Sequence, residues 1–241
     1  MTQPVDIKEI SAMYTAARKT FEDVYGQYHE QEKLVSNMLI TREQLEKEAS
    51  SLSENWLNTL IGAAGIQTEE TGKISVMAGM AKENLERIIP AIEEARLKLF
   101  DLCYESASAG VDYKGKHNAL SEAVINPLRE DLINEIQDKV ALLHGLNLLS
   151  SLPAYETENY LLNVFTEVKK RNCAPGALEY LHKAADDNET LKLYPGNIPP
   201  EVATVIHRSP SPAQMAVARN ALQKKKALAE GIEKCKGFEG Y

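Results

Sequence analysis

The histidines and cysteines are the side chains of this sequence that could bind a metal ion or act as nucleophiles. The chain has five histidines and three cysteines: His29, His117, His144, His182, His207, Cys103, Cys173 and Cys235. The histidines are scattered and form no His-Glu-x-x-His pair, and the wide spacing of an odd number of cysteines fits neither a zinc site nor a disulfide framework. Cys173 lies in a predicted loop and could be reactive, but the sequence shows no catalytic partner for it.

Two further patterns that carry chemistry are also missing. The glycine-containing stretch 62–65 has no Lys-Ser/Thr after it and follows no strand, so it is not a phosphate-binding loop. The Glu-x-x-His motifs of di-iron helical bundles are absent. We therefore predict no catalytic residue, no metal ligand and no cofactor, and we expect that the chain is not an enzyme.

Length and net charge limit the domain count and the partners that the sequence predicts. The chain has 241 residues, which is enough for one large domain or two small ones. Its formal net charge is −8. An acidic chain is not expected to bind nucleic acid, because phosphate binding needs a concentrated basic face. The sequence shows no signal peptide and no run of about 18 apolar residues, so we expect no membrane partner and a cytoplasmic location.

The first helix is predicted by a stripe of apolar residues at alternating spacings of three and four. A sustained 3.5-residue period is typical of a left-handed coiled coil, and an unbroken helix from Ile7 to Leu52 would be about 70 Å long. We call this stripe the seam and predict that it serves self-association or packing, against another copy or against the chain's own second helix. The seam consists mainly of Ile7, Ile10, Tyr14, Phe21, Val24, Tyr28, Val35, Met38 and Leu45.

Two seam positions are polar, Gln31 and Arg42. They either set the register of the two helices or lie where the partner helix ends. Thr41 begins a Thr-Arg-Glu-Gln sequence that is typical of a capping box, so the helix could restart there.

The next segments predict a corner and two further long helices. Trp56, the one tryptophan, is interpreted as a packing anchor of a short helix at the corner rather than as a ligand platform. An apolar pattern at 74–102 predicts a second helix, antiparallel to the first because the link is short, with a kink or restart at Pro90 and an end at Gly110. A third pattern at 120–146 is rich in leucine and isoleucine, so we expect it to be the most buried element.

The sequence changes character after Pro153. Residues 155–171 predict a helix with its apolar face inward, made of Tyr160, Leu161, Val164, Phe165 and Val168. A short helix is predicted at 177–185, and the proline-rich stretch 186–210 is interpreted as an extended arm. Ser211-Pro212-Ala213-Gln214 has the features of a strong helix start, and the final helix should run to about residue 232.

This last helix is basic on an acidic protein. Its lysines either dock onto a partner or simply lie at a helix end, where cations interact favourably with the dipole. The possible partner-contact residues are Pro212, Gln214, Arg219, Lys224, Lys225 and Lys226.

Together these patterns predict an all-α fold, an elongated antiparallel bundle of long helices or coiled coil with a smaller C-terminal helical region. We divide the sequence into a long-helix coiled-coil region at 1–152 and a smaller helical region at 153–241. The second region contains the arm at 186–210 and the basic C-terminal helix.

Three features in this order resemble a known family. They are the long heptad helix that ends in Trp56-Leu57-Asn58-Thr59-Leu60-Ile61-Gly62-Ala63-Ala64-Gly65, the two further long helices that end in the leucine-rich run at 142–152, and the Ser-Pro-Ala-Gln helix at 211–214 with its lysines. The chain resembles the Sid-type external scaffolding, or capsid-size-determination, proteins of satellite phages. Its Pro-Ala-Gln helix start is also similar to that of the satellite-phage polarity-suppression protein Psu.

The resemblance implies a structural role. A Sid-type protein self-associates outside a procapsid, contacts the hexameric capsomers of a helper phage's major capsid protein, and directs it to a smaller shell. The expected partners are therefore that capsid protein and further copies of this chain, as dimer or trimer contacts, in the cytoplasm of a bacterial host. The resemblance to Psu implies an alternative, a coiled-coil protein that decorates capsids or binds a host factor.

Overall fold

The computed structural model of the protein describes residues 6–150, 153–172 and 188–232. The described elements are helical, with no strand among them, so the predicted all-α, long-helix fold is confirmed. In chain order they are α1 (Ile7–Gly62), α2 (Glu69–Leu149), α3 (Ala154–Asn172), a 3-10 turn (Leu191–Leu193), α4 (Pro200–Arg208), α5 (Pro212–Asn220) and α6 (Leu222–Ala229).

The chain forms two compact units that do not follow the order of the sequence. Unit 1 consists of residues 1–16 and 114–198, and unit 2 consists of residues 17–113 and 199–241. Each unit contains residues from both sides of position 152, because α1 and α2 pass through both units. Contacts rather than sequence neighbourhood therefore decide which segments belong together.

Helix α1 is continuous through Thr41, so the predicted restart is wrong. The Thr41 hydroxyl donates to the carbonyl oxygen of Asn37 at 3.0 Å, which uses the side chain inside the helix instead of as a cap. Salt bridges of i,i+4 spacing follow at once, Arg42 with Glu46 and Glu43 with Lys47, and they support the helix across this point.

The corner lies after Trp56 and not around it. Trp56 is half-buried inside α1, and the short separate helix predicted there does not exist. The turn closes where Ala64 and Gly65 adopt positive φ angles of 54° and 81°, and the Gly65 amide donates to the Leu60 carbonyl at 2.9 Å. This is a Schellman-type helix end. Thr68 then caps α2, since its hydroxyl accepts from the Thr71 amide at 3.2 Å.

Helix α2 is a single helix of 81 residues, so the predicted restart at Pro90 and the predicted end at Gly110 are wrong. Gly110 does not end the helix because it is a close-packing position. A Cβ added there would lie 3.4 Å from Phe21, 3.4 Å from Ile206 and 3.5 Å from Val202. Tertiary packing thus outweighs the low helix propensity of glycine at this point.

In unit 2 the helices α1 and α2 are antiparallel. The Ser106 hydroxyl donates to the Val24 carbonyl at 3.3 Å, and the ring centroids of Phe21 and Tyr113 lie 5.8 Å apart. Buried Gln31 donates through Nε2 to the carbonyl oxygen of Ala95 at 3.0 Å. Gln31 is therefore satisfied across the helix pair, and the alternative that the partner helix ends there is wrong.

The C-terminal helices cover part of this pair. Residues 200–208 of the predicted extended arm form α4, whose buried residues are Val202 and Val205, so the arm prediction is wrong over that range. The predicted single final helix is divided into α5 and α6 by Ala221, which has extended backbone angles of φ −143° and ψ 99°. After this break, Leu222 is exposed to solvent.

Unit 1 holds the start of α1, the second half of α2, and α3. The Tyr14 and His117 rings meet edge to face at 6.1 Å, and His117 Nε2 donates to the Gly196 carbonyl at 2.8 Å. At the other end of the unit, Thr157 of α3 is buried against α2. The predicted helix at 177–185 lies outside the described residues.

Candidate interaction surfaces

The described residues contain no cluster of three or more histidine, cysteine, aspartate or glutamate side chains that could hold a metal ion. Of the three cysteines, Cys103 is buried, while Cys173 and Cys235 lie outside the described residues. Among the described helices, none has a stretch long and apolar enough to cross a membrane. We therefore examine the surfaces of the two units as candidate functional sites.

The seam is an intramolecular packing surface in unit 2. Tyr28 and Val35 belong to a buried core with Leu99, Phe100 and Cys103 of α2 and with Met215 and Leu228 of the C-terminal helices. Of the predicted seam residues, Tyr14, Phe21, Tyr28 and Val35 are buried, and Ile7, Ile10, Val24, Met38 and Leu45 are half-buried. The structure thus brings the predicted seam together, against the chain's own second helix.

Burial of the seam has an electrostatic consequence. Removal from water raises the pKa of the Tyr28 hydroxyl well above its ordinary value of 10.0, because the tyrosinate would lose its hydration. The pKa of Tyr25 beside it is raised for the same main reason. Burial at the seam therefore favours the neutral forms of Tyr25 and Tyr28.

Two of the predicted partner-contact lysines are engaged inside unit 2. Lys225 Nζ lies 2.5 Å from Asp101 Oδ2, and Lys226 pairs with Glu93. Both acidic partners are on α2, so these lysines fasten α6 to α2. The sequence pattern did not predict these ion pairs within the chain.

The remaining predicted contact residues are more accessible. Gln214 completes the predicted capping box with Ser211, since its Oε1 accepts from the Ser211 amide at 2.9 Å. Lys224 is exposed, Arg219 lines an open cleft of about 700 Å³ together with Asp101 and Glu105, and Pro212 lines a second cleft of about 590 Å³ with Tyr104. Both clefts are candidate contact surfaces in unit 2.

A first exposed apolar surface lies near the turn between α1 and α2 in unit 2. We call it the tip patch. It consists of large apolar side chains with at least half of their surface exposed: Leu57, Ile61, Ile66, Val76, Met77 and Met80. Among the described residues, only α1 and α2 lie near this turn. Two paired helices can bury one stripe of each helix only, so the other apolar side chains stay exposed.

A second exposed apolar surface lies in unit 1, on the last turns of α2 and on α3. We call it the α2–α3 face. It consists of Leu132, Ile133, Ile136, Leu142, Leu146, Leu149, Tyr160, Leu162, Val164 and Phe165. Soluble monomers rarely expose a contiguous apolar patch above a few hundred Å², and larger patches mark interaction sites.

The α2–α3 face contradicts two sequence predictions. The stripe at 120–146 was expected to be the most buried element, but only Leu120 and Val124 of it are buried. Tyr160, Val164 and Phe165 were expected to face inward, but all three are exposed, Leu161 is half-buried, and the Val168 side chain is outside the described set. The buried residue of α3 is the polar Thr157, which periodicity of apolar residues could not identify.

Comparison of the chain with protein-family models, with curated proteins and with solved structures finds no match.

Proposed function

We propose that this protein is a structural external scaffolding protein. In this proposal, copies of the chain self-associate on the outside of a phage procapsid in a bacterial host and direct the capsid protein of a helper phage to a smaller shell. The observation that supports it best is the exposure of two apolar surfaces on long continuous helices. The resemblance of the Trp56 corner and of the Ser211-Pro212-Ala213-Gln214 helix to Sid-type proteins supports the same role.

A physical reason connects long helices to this role. A continuous helix is stiff, so apolar residues along it keep a fixed spacing of 1.5 Å per residue. A scaffold that bends a lattice needs such a fixed spacing between its contacts. Each contact can be weak, because many identical contacts in one cage add up by avidity.

The proposal moves self-association away from the seam. The seam is occupied by α2 and the C-terminal helices in unit 2, and opening it would expose the buried core around Leu99 and Phe100. The tip patch and the α2–α3 face require no such rearrangement. Surface pairing is therefore the less costly route to an assembly.

The experiment is co-expression of the chain with a helper-phage major capsid protein and its protease, followed by electron cryomicroscopy of the particles. We expect shells smaller than those made without the chain, with helical density on the outside. Capsid protein expressed alone is the control for shell size. Particles of unchanged size that carry no external density contradict the proposal.

A second candidate function is capsid decoration or binding of a host factor. It is favoured by the Ser211–Gln214 capping box and by the clefts that Arg219 and Pro212 line beside it. A protein of this kind binds finished shells or the host factor. A pull-down that recovers procapsids but neither mature shells nor a transcription terminator would exclude it.

A further inference from the structure

The α2–α3 face lies beyond the stretch of α2 that the described part of α1 covers. In unit 1, Tyr14 of α1 lies against His117, and the described part of α1 starts at Ile7. Because the helices are antiparallel, the start of α1 can cover α2 only to about residue 124, where burial of the stripe ends. Residues 128–149 therefore extend beyond this helix pair.

Helix α3 covers one side of this extension. Asn147 Nδ2 donates to the buried Thr157 hydroxyl at 2.7 Å, and His144 Nδ1 lies 3.5 Å from the same oxygen. A shallow groove between the helices is lined by Ile136, Val140, Leu143 and Leu161, together with Glu135 and Lys139. The apolar α2 residues of this groove and Asn147 follow the series 136, 140, 143 and 147.

A second stripe on the same stretch of α2 is displaced from this series by one residue, or about 100° around the helix, and its members Glu135 and Lys139 also line the groove. It has alternating spacings of four and three, the heptad pattern of a two-helix seam. Leu132, Leu142, Leu146 and Leu149 on it are more than half exposed, and Leu128 is half-buried. The stripe consists of Leu128, Leu132, Glu135, Lys139, Leu142, Leu146 and Leu149.

The central pair of this stripe is charged and unused. Glu135 and Lys139 are both exposed, and neither has an ion pair among the residues that the structure describes. Opposite charges at two positions of an apolar stripe are a device that sets partner choice and orientation in helix pairs.

From Leu128 to Leu146, the stripe has two leucines on each side of a central pair of opposite charges. We propose that residues 128–149 of α2 pack antiparallel against the same residues of a second copy about a twofold axis. One register then places Glu135 opposite Lys139 twice, Leu132 opposite Leu142, and Leu128 opposite Leu146. A parallel arrangement would instead place Glu135 against Glu135 and Lys139 against Lys139, which like charges disfavour.

The stripe also has the size that a repeated weak contact needs. From Leu128 to Leu146 it spans about 27 Å of helix. Four leucine layers and two ion pairs form a small interface, suited to a contact that is repeated many times in a cage. This inference deepens the proposed function, since it names where two copies meet, but its test needs no capsid protein.

The test is sedimentation equilibrium of the full chain up to about 100 μM, a range that detects weak dimers. The wild-type chain should dimerise, and Glu135→Lys or Lys139→Glu alone should weaken the dimer by roughly tenfold or more, because each places four like charges at its centre. The double variant E135K/K139E should dimerise like the wild type. Circular dichroism checks that each variant keeps its helix content.

A mixture of the two single variants provides the sharpest result. Glu135→Lys chains carry only lysine at the centre and Lys139→Glu chains carry only glutamate, so the two should form a heterodimer when neither forms a homodimer. Glu130→Lys changes an exposed charge outside the stripe and should leave the dimer unchanged. Damage to the fold cannot produce this pattern of loss and rescue.

A monomeric wild-type chain, or single variants that dimerise as well as the wild type, would overturn this contact. A monomer that still reduces shell size in the co-expression experiment would leave the scaffolding proposal intact and remove only the α2 pairing. A dimer with the predicted charge pattern that leaves shell size unchanged would support the contact and contradict the scaffolding proposal.

Discussion

Residues 92–103 and residues 128–149 of α2 carry apolar stripes of the same period, but the chain covers only the first. In unit 2, Leu99, Phe100 and Cys103 are enclosed by α1 and by the C-terminal helices. In unit 1, Leu132 and Leu146 are more than half exposed, because the described part of α1 does not reach them and α3 covers one side of the helix. An apolar stripe therefore specifies that a helix needs a partner, and the number of neighbouring helices decides whether the partner lies in the same chain.

The largest expected effect is a difference in stability loss between a substitution in the covered core of unit 2 and one on the exposed α2–α3 face of unit 1. Phe100 is 0% exposed and Phe165 is 67% exposed. Phe100→Ala should lower the free energy of unfolding by about 3–5 kcal/mol, because it leaves a cavity in the core. Phe165→Ala should lower it by less than about 1 kcal/mol. Denaturant unfolding followed by circular dichroism at low protein concentration measures both, and equal losses would contradict the difference in burial.

Alkaline pH should destabilise the covered region through Tyr28. Its pKa is raised in the folded state, so the unfolded chain releases the proton first and stability falls as pH rises above about 10. Below that pH, both states hold the proton and Tyr28 contributes no pH dependence. Between pH 10 and pH 11 the wild type should lose about 1 kcal/mol more than Tyr28→Phe. Parallel losses in the two proteins would show that Tyr28 ionises freely in the folded state.

The helices that cover unit 2 depend on a helix cap. Ser211→Ala removes the hydroxyl that accepts from the Gln214 amide, and it should cost about 1 kcal/mol of unfolding free energy. The control is Thr204→Ala, at an exposed position of α4. It should be nearly neutral, since the Thr204 hydroxyl donates only to the Pro200 carbonyl of its own helix. If Ser211→Ala is as neutral as the control, then α5 contributes little to covering the core.

The smallest expected effect concerns the ion pair that fastens α6. A double-mutant cycle on Lys225 and Asp101 should give a coupling of about 0.5–1 kcal/mol, because the pair is partly buried and joins distant segments. The same cycle on Lys73 and Glu69, an exposed pair within one helix, should give less than about 0.5 kcal/mol. A larger coupling for the exposed pair would contradict the fastening role of Lys225.

The periodicity of the sequence was sufficient to predict the helical character of these segments and the buried stripe of α1. The seam from Tyr14 to Val35 is buried as the 3.5-residue spacing predicts, and the antiparallel direction of the first two helices is confirmed. The capping box at Ser211 is also present as predicted. These are local features, set by spacing and by side-chain hydrogen bonding within a few residues.

The breaks and the coverings could not be predicted in the same way. Thr41 and Gly110 are local signals for a helix end, but hydrogen bonding within the helix and close packing against α4 override them. Leu99 is covered in part by helices more than 100 residues further along the chain, as the pairing of Lys225 with Asp101 illustrates. In our proposal, Leu146 is covered by a second copy of the chain. No pattern confined to one helix contains that information.

The central claim is that the uncovered stripe of α2 joins copies of this protein into a cage that reduces shell size. The most direct measurement is the diameter of particles formed by a helper-phage capsid protein co-expressed with the wild type, with Glu135→Lys, or with E135K/K139E. We predict small shells with external helical density for the wild type and the double variant, and large shells for the single variant. Small, caged shells with Glu135→Lys would contradict the claim.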